Sequence, residues 1–176
     1  MGGFKLKKII LFIYLFPFLF NIPVGLAYNS TASMPIGWYL LFTPQNIKIG
    51  DTVLACAPLN KYSIIGIKRG YIGKIKNGLC PYNTKYLVKK VVGLPYETVV
   101  LKPYGIVVNG KFTAYTVILN SPLPADQRIK HYPYGRYKIK GYWLISTYNK
   151  LSYDSRYFGP VKKINYQALY IGTKLL

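Results

Sequence analysis

Beyond residue 28 the sequence keeps breaking its apolar runs before any of them is long enough to make a helix. Residues 38–43, 52–57, 62–67, 86–92, 142–147 and 168–171 are short, rich in β-branched and aromatic side chains, and separated by turn residues drawn from 16 Gly and 12 Pro. Residues 105–111 end in Asn109-Gly110, the strongest short hairpin signal, because both central positions of a type I′ turn need positive φ. No stretch after residue 28 carries a sustained 3.6-residue period with caps, and no repeat or low-complexity linker interrupts the pattern. These features predict a compact all-β domain.

The N-terminal end reads differently. Lys5, Lys7 and Lys8 precede residues 9–27, an almost wholly apolar run interrupted by Pro17, Asn21 and Pro23. About 19 residues at a rise of 1.5 Å just cross a hydrocarbon core of about 30 Å. The basic flank is expected to stay cytoplasmic, placing Asn29 onward outside. Gly25-Leu26-Ala27 also offers the small residues of a signal-peptide cleavage site. The longer run, and the closeness of Ser33 behind it, favour a retained single-pass anchor. The expected division is a membrane anchor or signal-like segment over 1–28 and a catalytic domain over 29–176.

Composition removes much of the catalytic menu. Against 24 Lys plus Arg stand four acids (Asp51, Glu97, Asp126 and Asp154) and one histidine. Four scattered carboxylates argue against paired-carboxylate chemistry and carboxylate metal cages. Two Cys and one His lack zinc-ligand spacing, so no metal and no cofactor is expected. His131, in Lys130-His131-Tyr132-Pro133, sits in what reads as a surface loop and is a poor triad base. The lysines are spread with no block longer than two, which suits a face toward an anionic bilayer better than a nucleic-acid groove. Outside the cytoplasm, Cys56 and Cys80 are expected to pair as a disulfide.

What remains plentiful is serine beside lysine. In Asn29-Ser30-Thr31-Ala32-Ser33-Met34-Pro35-Ile36-Gly37-Trp38-Tyr39, Pro35 fixes its own φ and pushes Met34 toward extended geometry, while Gly37 permits a bend. Ser33 on such a stiffened turn is a candidate nucleophile. In 86–92, Lys89 shares a strand face with Leu87 and Val91, and Lys90 shares the other with Val88 and Val92. Burial of either lysine lowers its pKa, as a lysine general base requires. Spacing alone does not choose between them. In Ser152-Tyr153-Asp154-Ser155-Arg156-Tyr157-Phe158-Gly159-Pro160, Asp154 and Arg156 stand two apart, face one way on an extended segment, and form a candidate structural ion pair.

Ser33-Met34-Pro35, the stretch from Lys89 to Pro95, and the stretch from Asp154 to Pro160 together resemble the ordered boxes of the type I signal peptidases, membrane-anchored Ser-Lys proteases. Asn109-Gly110 falls where that family tends to end a strand. The opening motif from Asn29 to Gly37, Arg69-Gly70-Tyr71 and Gly78-Leu79-Cys80-Pro81 resemble the TraF-type conjugative-transfer members. Tyr96-Glu97 departs from the family's usual Gly-Asp, which is expected to alter a turn. The resemblance implies an antiparallel β-sheet or barrel outside the cytoplasm of a bacterial inner membrane, behind one transmembrane helix. It implies Ser33 as nucleophile, Lys89 as base, the Ser33 N–H and Thr31 hydroxyl as oxyanion hole, and Ser152 as the group orienting the lysine. It leaves Met34 to line the cleft, face the bilayer or pack in the core. The implied substrate is a protein precursor, a conjugative pilin subunit above all, in some members cyclised through its own amino terminus. A general leader peptidase and a non-catalytic basic assembly protein of a secretion apparatus are the alternatives.

Overall fold

The computed structural model of the protein describes residues 22–115 and 129–174. Residues 9–21 of the apolar run, and Asp126, lie outside them. Ten strands form two antiparallel sheets among the described residues. The larger has the order β1-β2-β10-β3-β4-β9, built from β1 (Gly25–Asn29), β2 (Gly37–Phe42), β3 (Thr52–Ala55), β4 (Leu87–Gly93), β9 (Trp143–Ile145) and β10 (Tyr166–Gly172). The smaller has the order β7-β6-β5-β8, from β5 (Thr98–Lys102), β6 (Gly105–Val108), β7 (Lys111–Tyr115) and β8 (Gly135–Lys138). No helix of the described residues is long and apolar enough to cross a membrane.

The C-terminal end of the apolar run joins the sheet. Gly25 to Asn29 pair in register with Leu41 to Gly37 of β2, and the Val24 N–H donates to the Leu41 carbonyl at 2.7 Å. A helix continuing to residue 27, as the hydropathy suggests, is therefore not what this end forms.

Period-two alternation explains the packing of β4. Val88 enters a cluster with Met34, Tyr39, Leu41 and Leu54, whereas Val92 and Trp143 of β9 enter the one shared with the smaller sheet through Val99 and Leu101. Val91, on the opposite face, joins Val53, Leu144, Tyr153, Tyr157 and Phe158. Lys89 shares that last face with Leu87 and Val91.

Two stretches differ from the expected extended chain. Residues 62–67 belong to a helix, α1 (Lys61–Lys68), not a strand. Asn60 caps it by accepting from the Tyr62 and Ser63 N–H groups, each at 3.0 Å. Its buried positions are Ser63 and Gly66, three apart; a Cβ on Gly66 would stand 2.5 Å from the Tyr153 ring, so only glycine lets the helix approach. The second is the segment from Asp154 onward, where Asp154 caps α2 (Ser155–Phe158) in place of the expected extended run.

Candidate active site

Asn29 ends β1 at the mouth of a cleft of about 530 Å³ whose lining includes Thr31, Ser33, Lys89 and Ser152. The opposite wall comes from the segment between α1 and β4, including Tyr71, Ile75 and Leu79. A disulfide between Cys56 and Cys80, with Cα atoms 5.3 Å apart, ties that wall to the residue just after β3. The lining is predominantly apolar.

Ser33 stands on the loop between β1 and β2, and side chains hold that loop from three directions. The Asn29 carboxamide bonds to Thr31, Met34 and Pro35. The Tyr39 hydroxyl donates to the Pro35 carbonyl at 2.8 Å. From the end of β9, the Ser146 hydroxyl donates to the Ser33 carbonyl. Met34, just beyond Ser33, is 3% exposed and packs in the core with Leu54 and Val88. Thr31 Oγ1 lies 2.9 Å from Ser33 Oγ.

The two lysines of β4 part company. Lys90 sends its Nζ outward to the Gly50 carbonyl at 2.8 Å. Lys89 is 2% exposed, pairs with the fully buried Val53, and turns into the cleft. Burial pushes its pKa down from the ordinary 10.5 to about 8; the Asp154 carboxylate pulls it upward, and the Arg156 guanidinium opposes that pull. An amine with such a pKa is partly neutral near physiological pH and can accept a proton.

Asp154 and Arg156 form the buried charged frame beneath. Arg156 Nε donates to Asp154 Oδ1 at 2.7 Å and Nη2 to Oδ2 at 2.8 Å, a bidentate pair whose members are 2% and 0% exposed. Further bonds satisfy the rest: Arg156 reaches the Lys150 and Ser152 carbonyls, and Asp154 Oδ2 accepts from the Ser146 N–H at 2.9 Å. The pair thus positions Ser146, which in turn holds the Ser33 carbonyl. Ser152 is 5% exposed and its Oγ has no protein partner, a buried hydroxyl available to a neighbouring amine in the same cleft. His131 lies elsewhere, its Nδ1 donating to the Tyr132 carbonyl at 2.6 Å.

Two participants escaped the sequence reading as site residues. Asn29 left a signal, since an Asn two residues before a Thr at a strand end suits a side-chain-closed turn. Ser146 left none, because its partner stands 113 residues away.

Comparison with known proteins gives the family. The chain is 30% identical over 150 residues to plasmid transfer protein TraF of Escherichia coli, covering 81% of this chain and 72% of that protein. It is 30% identical over 138 residues to conjugal transfer protein TraF of Agrobacterium fabrum, covering 78% and 75%. A 90-residue stretch is 36% identical to signal peptidase I V of Bacillus subtilis, covering 46% of this chain and 53% of that one. The family model described as signal peptidase, peptidase S26, matches residues 5–171. With nearly its whole length matched, the chain belongs to the S26 signal peptidase family of serine peptidases.

Proposed function

We propose that the protein is a membrane-anchored endopeptidase working through a Ser33-Lys89 dyad on a small secreted precursor of a conjugative apparatus, a pilin subunit above all. The observation that carries this reading is Lys89, buried among apolar side chains in the cleft that also contains Ser33, with its pKa lowered to about 8.

In this mechanism neutral Lys89 Nζ takes the proton of Ser33 Oγ as that oxygen attacks the scissile carbonyl. The Ser33 N–H and the Thr31 hydroxyl donate to the oxyanion, a type of contact typically worth about 3 kcal/mol in the transition state. Lys89 returns its proton to the departing amine, leaving an acyl ester on Ser33. Water, or the substrate's own amino terminus, then attacks the ester with Lys89 again as base. Ser152 Oγ orients the amine. The relatives' names in plasmid and conjugal transfer support the substrate class. The Cys56–Cys80 disulfide fits an oxidising compartment, and exposed Ile22 and Val24 just before β1, with Leu26 and Tyr28 within it, fit a domain seated against a bilayer.

The test is an intact-mass assay of the full-length protein in detergent against a pilin-like precursor and a standard secretory preprotein, with Ser33→Ala and Lys89→Ala alongside. Cleavage of the pilin precursor alone, abolished in both variants, is the expected result. A product one water lighter than the linear fragment adds cyclisation. Cleavage of both substrates identifies a general leader peptidase. Two intact precursors overturn the peptidase reading in favour of an assembly role.

A further inference from the structure

Asn29 does more than end a strand. Its Nδ2 lies 2.9 Å from the Thr31 carbonyl and 3.0 Å from each of the Met34 and Pro35 carbonyls. Its Oδ1 accepts from the Thr31 N–H at 3.1 Å and from the Thr31 hydroxyl at 2.9 Å. One carboxamide, 6% exposed, thus brackets Ser33 from both sides in sequence.

A count of hydroxyl protons gives the bonds a direction. Thr31 Oγ1 has one proton, and Asn29 Oδ1 can only accept, so that proton goes to Asn29. The 2.9 Å contact between Thr31 Oγ1 and Ser33 Oγ is then donated by Ser33. The order of donation runs Ser33 to Thr31 to Asn29, which leaves the Thr31 proton on Asn29 and not toward an oxyanion.

We propose that Asn29 is a positioning residue for the nucleophile that acts through Thr31. It fixes the loop presenting Ser33 and holds the Thr31 hydroxyl proton until the oxyanion forms. On attack, the Ser33 proton passes to Lys89 Nζ. The Thr31 hydroxyl loses its Ser33 donor and rotates about Cβ–Oγ1 from Asn29 Oδ1 to the oxyanion. Asn29 Oδ1 keeps the Thr31 N–H, and no covalent bond of Asn29 or Thr31 changes. The inference rests on the Ser-Lys reading above.

The test compares Asn29→Ala, Thr31→Val, the double variant and Ser33→Ala in the full-length protein, measuring kcat and KM on the pilin-like precursor across pH, with thermal melts. Asn29→Ala is expected to lower kcat by about 10- to 100-fold with KM within about threefold, as a misaimed nucleophile does. The pH at which activity levels off should not move, because Lys89 keeps its surroundings. The double variant should lose less than the product of the two single losses, since both act on one hydroxyl. Thr31 is exposed, so Thr31→Val keeps the inference testable even if Asn29→Ala fails to fold: a wild-type kcat in Thr31→Val overturns it. Full additivity, a displaced pH profile, or a wild-type kcat in Asn29→Ala overturns it as well. If the wild type cuts and Ser33→Ala does not, such results leave the peptidase reading standing. If the wild type itself cuts nothing, that reading fails and takes this inference with it.

Discussion

The hydroxyl of Ser146 donates to the backbone carbonyl of Ser33, joining the end of β9 to the Ser33 loop across 113 residues of sequence. Ser146 Oγ also accepts from the Asn149 N–H at 2.8 Å, and its own N–H is held by Asp154. Ser146→Ala removes this bond and frees the peptide plane that carries Ser33, the proposed nucleophile. The expected result is a kcat about 10-fold lower with a stability loss of about 1 kcal/mol. Single-turnover cleavage and urea unfolding measure the two; an unchanged kcat would show that Asn29 and Tyr39 suffice to hold the loop.

In the proposed Ser-Lys mechanism, Lys89 makes activity depend on pH. With a pKa near 8, about one-tenth of the lysine is neutral at pH 7, so kcat/KM should rise nearly tenfold per pH unit below that value and level off above it. Lys89→Arg, whose guanidinium stays charged, should be inactive throughout. A profile that levels off near the ordinary lysine value of 10.5 would mean that burial does not tune this amine.

The same burial is visible in stability. Lys89 is lowered in the folded state, so between pH 8 and 10 the unfolded chain binds more protons and stability rises with pH. Buried tyrosines act oppositely at higher pH: Tyr39 is pushed up to about 12, chiefly by burial, so the unfolded chain ionises first. Lys89→Met keeps the tyrosines and removes the lysine. Urea unfolding across pH 8 to 10 should therefore give a wild-type curve that climbs relative to Lys89→Met. Parallel curves would contradict the lowered pKa.

Period two carried the sequence reading where burial alternates, as in β2, and set Lys89 and Lys90 on opposite faces of β4. It misled at 62–67, where β-branched residues resembled a strand. The deciding features were Asn60 as a cap and two small residues three apart, and their value appears only once Tyr153 is known to pack there. Lys89 and Lys90 show the same limit. Each has apolar neighbours two residues away, so local pattern treats them alike. The face of Lys89 is covered by Tyr153, Tyr157 and Phe158, more than sixty positions later, and no local period encodes that. Similarly, the spacing of Asp154 and Arg156 fitted an extended segment, whereas the carboxylate serves as a helix cap.

The disulfide links stability to the cleft wall. It joins residues separated by 24 positions, and a loop of that size contributes about 3.5 kcal/mol by the chain-entropy estimate. Cys56→Ser with Cys80→Ser should lose a comparable amount in urea unfolding. Because Tyr71 and Leu79 belong to the tethered wall, KM for the precursor should rise while kcat changes little. A fall confined to kcat would argue that this wall touches the dyad rather than the substrate.

Tyr96 marks the departure from the family's Gly-Asp turn, and its backbone shows the cost. Its φ is +68°, a left-handed conformation in which a side chain is disfavoured by about 1–2 kcal/mol. The ring is 74% exposed, so little packing compensates. The turn is held instead by Glu97, whose carboxylate accepts from the Leu94 N–H at 2.7 Å and from Asn109 Nδ2 at 3.0 Å, and by the Tyr96 N–H donating to the Ile139 carbonyl at 2.7 Å. Tyr96→Gly keeps these bonds and relieves the conformation, against about 0.5–1 kcal/mol of extra glycine freedom in the unfolded chain. The net expectation is a gain of about 0.5 kcal/mol, while Tyr96→Ala, which keeps a Cβ at positive φ, should gain nothing. Paired urea melts decide it: a less stable glycine variant would mean that the tyrosine ring holds the turn.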